Sequence, residues 1–206
     1  GGNGKILRYL SDNYLYPASF ENLVYASQLL QADAIKYGVE HFRRHRGYTM
    51  GSIYWQFNDC WPVASWSSVD SFGRYKALHY AARKFYAPVA MGLFLENRKL
   101  MVNVSNETMA DFRGSVKLTV CRNDFTELDR KEVVIEVEAL TSEDVLRYKI
   151  PDVDSYSTYL AVDLFDEAGM FIMRQVELLT PPKHFEWLEP RITAEFTDVD
   201  GGVEIA

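Results

Sequence analysis

The stretch MGSIYWQFNDCWPVASWSSVD, Met50–Asp70, decides how this chain is read. Its opening run, Gly51–Phe57, has the length and composition of a short buried strand. The loop that follows sets Trp55, Trp61 and Trp66 close together, beside Asn58 and Asp59. Tryptophan is costly to leave in a loop unless something packs on it. A flat ring beside an amide and a carboxylate suits a sugar. The ring meets the C–H face of a pyranose, and the polar groups take its hydroxyls. Each residue also has a plainer use. Any one tryptophan can serve packing, Asp59 can close the loop through local hydrogen bonds, and Pro62 can stiffen the turn.

Helices flank this stretch. Upstream, Phe20–His45 reads as one long helix, with Ser19 as its N-cap and Glu21 at the positive end of its dipole. Phe20, Leu23, Leu30 and Ala34 form an apolar stripe, flanked by Val24, Ile35, Val39 and Phe42. HFRRHRG then places cations at the C-terminal end and a glycine stop, Gly47. Downstream, Arg74–Tyr86 reads as a second helix with Tyr75, Leu78, Ala82 and Phe85 on one side, stopped by Pro88. A lone buried strand between helices has to join a parallel sheet or barrel. This chain supplies no further strand of that kind, so the rest of the sheet is expected from elsewhere.

From Val89 to about Leu179 the pattern changes to period two. KLMVNVSN, GSVKLTVC, KEVVIEVEAL, VLRYKI, STYLAVDLFD and MFIMRQVELL alternate with β-branched residues, and NRK and EAG supply hairpin turns. Six or seven such strands predict an immunoglobulin-like sandwich. TPPKHFEWLEP reads as a proline-marked linker, and RITAEFTDVDGGVEIA as a further hairpin.

The bulk numbers exclude several classes. The 206 residues are 48% hydrophobic and 25% charged, and the net charge is -7. An acidic chain is not built to meet nucleic-acid phosphates. No apolar run approaches the ~20 residues of a membrane span. Cys60 and Cys121 fall in different predicted domains and are expected to be free thiols. That fits a reducing compartment such as the cytoplasm without establishing it. His41 and His45 have helical i, i+4 spacing, but the arginines around them repel a cation, and no metal or other cofactor is expected. Asn103 and Asn106 begin glycosylation-type triplets, which occur often by chance. No phosphate-binding glycine loop or nucleophile elbow is present.

MGSIYWQFNDCWPVASWSSVDSFGRYKALHYAARKFYAPV resembles the end of the catalytic barrel in β-mannosidases of glycoside hydrolase family 2. YASQLLQADAIKYGVEHFRRHR resembles the helix before the barrel's last strand, and GGNGKILRYL the segment leading into it. The resemblance implies a layout. Residues 1–88 are the C-terminal segment of a (β/α)8 TIM barrel, 89–182 an immunoglobulin-like sandwich, and 183–206 a linker and the start of another β domain. It also implies a retaining hydrolase acting on terminal β-mannosyl residues, with two glutamates on earlier barrel strands. Glu21 and Glu40 match neither, so no catalytic residue is expected in this chain. Trp55 is implied as the floor of the sugar subsite, with Asn58, Asp59, Trp61 and Trp66 as loop residues near it.

The implied partners are a β-mannoside and the upstream barrel segment of the same protein, with neither nucleic acid nor membrane. Three readings compete. The chain is part of a β-mannosidase or of another family 2 glycosidase, of the β-galactosidase or β-glucuronidase type. The sandwich is a carbohydrate-binding module, which its lack of tryptophan between Val89 and Leu179 disfavours. Or the sandwich is structural, propping the barrel and building a homodimer contact.

Overall fold

The computed structural model describes residues 2–190, 193–199 and 201–205. Helices occupy the first part. They are α1 (Gly2–Asn13), α2 (Phe20–Arg44) and α3 (Ala77–Phe85). Seven strands follow: β1 (Val89–Glu96), β2 (Lys99–Asn106), β3 (Phe112–Arg122), β4 (Glu127–Val137), β5 (Ser142–Lys149), β6 (Thr158–Asp166) and β7 (Phe171–Leu178). A separate hairpin, β8 (Phe196–Val199) with β9 (Gly202–Ile205), comes last. Of the segment read as a further hairpin, Arg191, Ile192, Asp200 and Ala206 lie outside the described residues, as does Gly1 of the opening segment.

The seven strands make two antiparallel sheets, ordered β1-β2-β5 and β4-β3-β6-β7. Alternation builds the core between them. Val116, Leu118 and Val120 of β3 are wholly buried against Leu160, Val162 and Leu164 of β6, with Leu100, Val102 and Val104 of β2 opposite. Turn chemistry sets the registers. Asn97 and Arg98 both take positive φ, 50° and 59°, and join β1 to β2 as a two-residue hairpin. Asp166 accepts from the backbone N–H of Ala168 and Met170, and Gly169 takes φ 79°, which closes β6 onto β7. At Gly114 the strands run so close that a Cβ would stand 2.1 Å from the Phe165 carbonyl oxygen.

The long helix is capped as the sequence predicts. Ser19 Oγ accepts from Asn22 N–H, and His41, Arg43 and Arg44 fill the last turn. Its buried seam differs from the predicted stripe. Ala32 and Val39, with Ile35, pack on Leu78, Ala82 and Phe85 of α3, whereas Phe20 and Ala34 face outward and Leu23 and Leu30 are only half-buried. The stripe is apolar, but among the described residues none of it is buried in the core that α2 shares with α3. The predicted helix Arg74–Tyr86 is shorter here, and Leu78, Ala82 and Phe85 of its predicted side are buried, whereas Tyr75 precedes α3 and is exposed. The opening helix α1 has no signal in the sequence reading and is an addition to it.

The predicted strand Gly51–Phe57 is not a strand here. The segment runs as irregular backbone, and only isolated bridges, Asn58 to Val69 and Val69 to Tyr75, link residues near it. A strand exists by pairing, and residues 2–88 hold no other strand for it to pair with. The barrel expected over residues 1–88 is therefore not evident in the chain by itself.

The C-terminal half of α2 lies on the sandwich. Glu40 is buried beneath β1, its Cβ 3.4 Å from the place a Gly92 Cβ would occupy, and Gln175 Nε2 donates to Glu40 Oε1 at 3.0 Å. Burial pushes the Glu40 carboxyl up to about 7, although Lys36, 3.8 Å away, opposes this. Arg43 donates to the Phe85 and Ala87 carbonyls, and Arg46 pairs with Glu107. The proline-marked segment is docked rather than loose. Pro182–His184 form a turn of 3-10 helix, Phe185 is buried against Tyr159, and Glu186 N–H donates to the Tyr156 carbonyl.

A candidate sugar-binding loop

The loop folds back on its own entry. Val69 N–H donates to the Phe57 carbonyl at 2.9 Å, Asp59 N–H to the Val69 carbonyl at 3.0 Å, and Gln56 N–H to the Trp66 carbonyl at 3.3 Å. Residues 56–59 and 66–69 thus run side by side, and the intervening segment bulges outward. The Trp55–Gln56 peptide is cis.

A buried polar cluster holds the bulge. Asp59 is 6% exposed. Its carboxylate accepts from Ser65 Oγ at 2.5 Å, Ser67 Oγ at 2.6 Å and Lys76 Nζ at 3.1 Å. The Ser65 and Ser67 hydroxyls, with the Lys76 ammonium, hold the Asp59 carboxyl down at about 2, so it is ionised at any working pH. Helix α2 clamps the loop from the other side. Gln31 Nε2 donates to the Trp66 carbonyl at 2.8 Å, and Gln28 Oε1 accepts from Ala77 N–H at the start of α3. Asp70 closes the next turn by accepting from Phe72 N–H, Arg74 N–H and Arg74 Nε. The loop is therefore fixed by its polar groups, and its rings are left outside.

Those rings are unusually bare. Trp55, Trp61 and Trp66 are 73%, 65% and 68% exposed, and Phe57, Phe72 and Tyr75 are exposed beside them. Asn58 is exposed as well, while its Nδ2 donates to the Asp59 carbonyl at 3.3 Å. Of the five residues read as sugar contacts, four present side chains to the surface. The fifth, Asp59, turns inward.

Ser65, Ser67, Lys76, Gln28 and Gln31 were not singled out by sequence reasoning. Lys76 carried a usable signal. It occupies the N-cap of α3 without a side-chain cap bond. A cation is disfavoured at the positive end of a helix, where Ser, Thr, Asp or Asn is the usual cap. A lysine in that place calls for a nearby carboxylate, which Asp59 provides.

Glycoside hydrolysis needs two carboxyl groups free to act on one bond. Here Asp59 is tied to Lys76 and Asp70 to Arg74. Among the described residues no group of three or more His, Cys, Asp or Glu side chains converges on a metal-sized position. His41 and His45 lie 4.3 Å apart, with His45 Nδ1 on the His41 carbonyl. Both cysteines are free. Among the described residues no helix is long and apolar enough to cross a membrane.

Residues 98–184 match the family model described as a mannosidase Ig/CBM-like domain. The β-mannosidase of Capra hircus is 31% identical over 163 residues, which cover 73% of this chain and 18% of that protein. β-Mannosidase A of Aspergillus terreus is 38% identical over 106 residues, 49% of this chain and 11% of that one. The crystal structure of β-D-mannosidase from Dictyoglomus thermophilum superposes with a TM-score of 0.85 at 30% identity, over 90% of this chain and 23% of its own. An exo-chitosanase from Amycolatopsis orientalis shares the fold at 23% identity, with a TM-score of 0.72 over 83% of this chain and 21% of its own. The resemblance is thus to a class of sugar-cleaving enzymes, the glycoside hydrolases of family 2. Within that class it is to the β-mannosidases, and the 206 residues fit part of such a protein. The chain spans less than a fifth of the curated relatives it matches.

Proposed function

We propose that this chain is the C-terminal part of a retaining β-mannosidase that releases terminal, non-reducing β-D-mannose. In this reading residues 1–88 complete a (β/α)8 barrel begun by an upstream segment of the same protein. Residues 89–182 form the supporting sandwich, and 183–206 lead into a further β domain. The observation that carries the reading is the pairing of bare tryptophans with a locked loop. Trp55, Trp61 and Trp66 are exposed on a backbone that Asp59, Lys76 and Gln31 hold still. A rigid aromatic surface binds a sugar face with little ordering cost.

Trp55 is the floor of the subsite in this proposal. The reacting ring gains positive charge as its glycosidic bond breaks, and an aromatic face favours a cation. Asn58, Trp61 and Trp66 line the approach, and Asp59 serves through the loop it holds. The two catalytic glutamates come from the upstream segment, so the chain alone is inactive. The outward face of α2 supports such a cover, because Phe20, Val24 and Tyr25 are apolar or aromatic and exposed.

The test is kinetic. The full-length enzyme should cleave an aryl β-mannoside with a far higher kcat/KM than the matching β-galactoside, β-glucuronide or β-glucosaminide. A preference for one of the others would assign a different family 2 activity. The 206-residue chain should show no turnover, and turnover abolished by a substitution within it would refute the division of labour.

A further inference from the structure

A groove of about 510 Å3 lies on the outer face of the three-stranded sheet, away from the tryptophan loop. Phe94 and Met101 form its floor, and Glu96, Lys99, Arg147 and Lys149 its walls. The strand register explains the arrangement. Lys99 of β2 sits directly opposite Lys149 of β5, and Met101 opposite Arg147. On the other side Glu96 faces Lys99 and Phe94 faces Met101. Like charges directly opposite one another weaken a ladder. Glu96, across from Lys99 on β1, is the carboxylate that the register sets beside the like pair. Among the described residues neither Lys99 nor Lys149 has a carboxylate within 4.0 Å, and Arg147 reaches only Asp144, at 3.5 Å. Arg44 of α2 adds a further cation, 4.4 Å above the Phe94 ring. Four cations thus gather with two carboxylates, Glu96 and Asp144, a local excess of positive charge on a chain whose net charge is -7. The support beneath them is firm, since Leu100 and Tyr148 point the other way into the core and are buried there.

We propose that this groove binds an anionic sugar, one carrying a carboxylate or a phosphate. Its acid group would sit between Lys99 and Lys149 with Arg147 in reach, which removes their mutual repulsion. Its C–H face would lie on Met101 and the edge of Phe94, whose ring face Arg44 covers, and Glu96 would accept from a hydroxyl. A bare anion makes no use of the apolar floor, and a neutral sugar makes no use of the cations. The volume is that of a small-ligand site. Nothing in this assignment depends on the tryptophan loop or on the reaction proposed for it.

Calorimetric titration of the 206-residue chain tests it, with galacturonic acid and mannose 6-phosphate as probes and mannose and inorganic phosphate as controls. Both acid sugars should bind saturably at low salt, at least about tenfold more tightly than either control, by the worth of a charge-assisted contact. Raising salt from about 0.05 to about 0.5 M should weaken them several-fold, since the site is open to screening. The double variant Lys99→Ala/Lys149→Ala should bind about tenfold more weakly or worse. Its melting temperature should equal or exceed the parent's, because the opposed charges are gone. If that variant melts early, Lys149→Gln alone should show a weaker form of the same loss. Mannose or phosphate binding as well as the acid sugars would overturn the proposal. So would undiminished binding by a folded variant, or no binding at all.

Discussion

Val116, Leu118, Val120, Leu160, Val162 and Leu164 are wholly buried in the sandwich, whereas Tyr48, Ile53, Trp55 and Phe20 of the helical region stand largely in water. The two regions come from one chain of ordinary composition, so the difference lies in what each has to pack against. The sandwich closes two sheets on seventeen buried residues. The helical region closes five, from α2 and α3. Ordering a residue costs roughly 1–2 kcal/mol, which so small a core cannot offset over this length. One region is a finished core, and the other, in the function proposed above, is one side of a core. A loop on an unfinished side has its rings free, and that is where a sugar site shared with an upstream segment would lie.

The largest effect should come from cutting the regions apart. Residues 89–188, which keep the docked Phe185, should melt in a single cooperative transition by circular dichroism and calorimetry. Residues 1–88 alone should show no such transition. A cooperative melt from the helical piece would break the contrast.

The next largest concerns Trp55 in the full-length enzyme. Trp55→Ala should lower kcat/KM by about a hundredfold or more, with a smaller loss for Trp55→Phe. The melting temperature should move little, and activity should not track the unfolded fraction. Normal kcat/KM in a folded Trp55→Ala enzyme would remove this ring from the site.

Smaller losses should follow from loosening the loop. Asp59→Asn and Lys76→Met should each lower kcat/KM by about tenfold, and the double variant should lose far less than their product, because both act through one ion pair. Losses that simply multiply would mean that the two residues work separately.

The smallest effect sharpens the joint between the regions. Ionising Glu40 costs more in the folded chain than in the unfolded one. The native state therefore keeps a proton that the unfolded state gives up between 4.5 and about 7, and stability falls as pH rises through that window. The slope from this group should be no more than about 1.4 kcal/mol per pH unit. Glu40→Gln should flatten it in denaturant melts taken across the window. An unchanged slope would show that Glu40 titrates normally.

These contrasts also explain what could be read in the sequence. β2 and β3–β7 are legible because each alternates against its own partner within the chain, and NRK and EAG announce their turns. The N-cap of α2 is legible because Ser19 acts locally. The face of α2 is not, because Phe20 and Leu30 are as apolar as Ile35 and Val39, and only a neighbour decides which row is covered. The run Gly51–Phe57 fails as a strand for the same reason, since pairing is a property of two segments. At the loop, the cluster of tryptophans is visible by composition, but their exposure is not, since each could equally have served packing. The inward turn of Asp59 is not visible either, because it depends on Lys76, seventeen residues on.

Gly114 carries a consequence for inheritance. A Cβ at this position would lie 2.1 Å from the Phe165 carbonyl oxygen and 3.0 Å from the Phe112 ring, and the nearer obstacle is backbone of the adjoining strand. Every missense change of one base in a glycine codon installs a residue that has a Cβ. No missense step at this codon is therefore conservative, even the one to alanine. In a saturation library selected only for folded protein, position 114 should come back as glycine, while the open Gly51 should accept many residues.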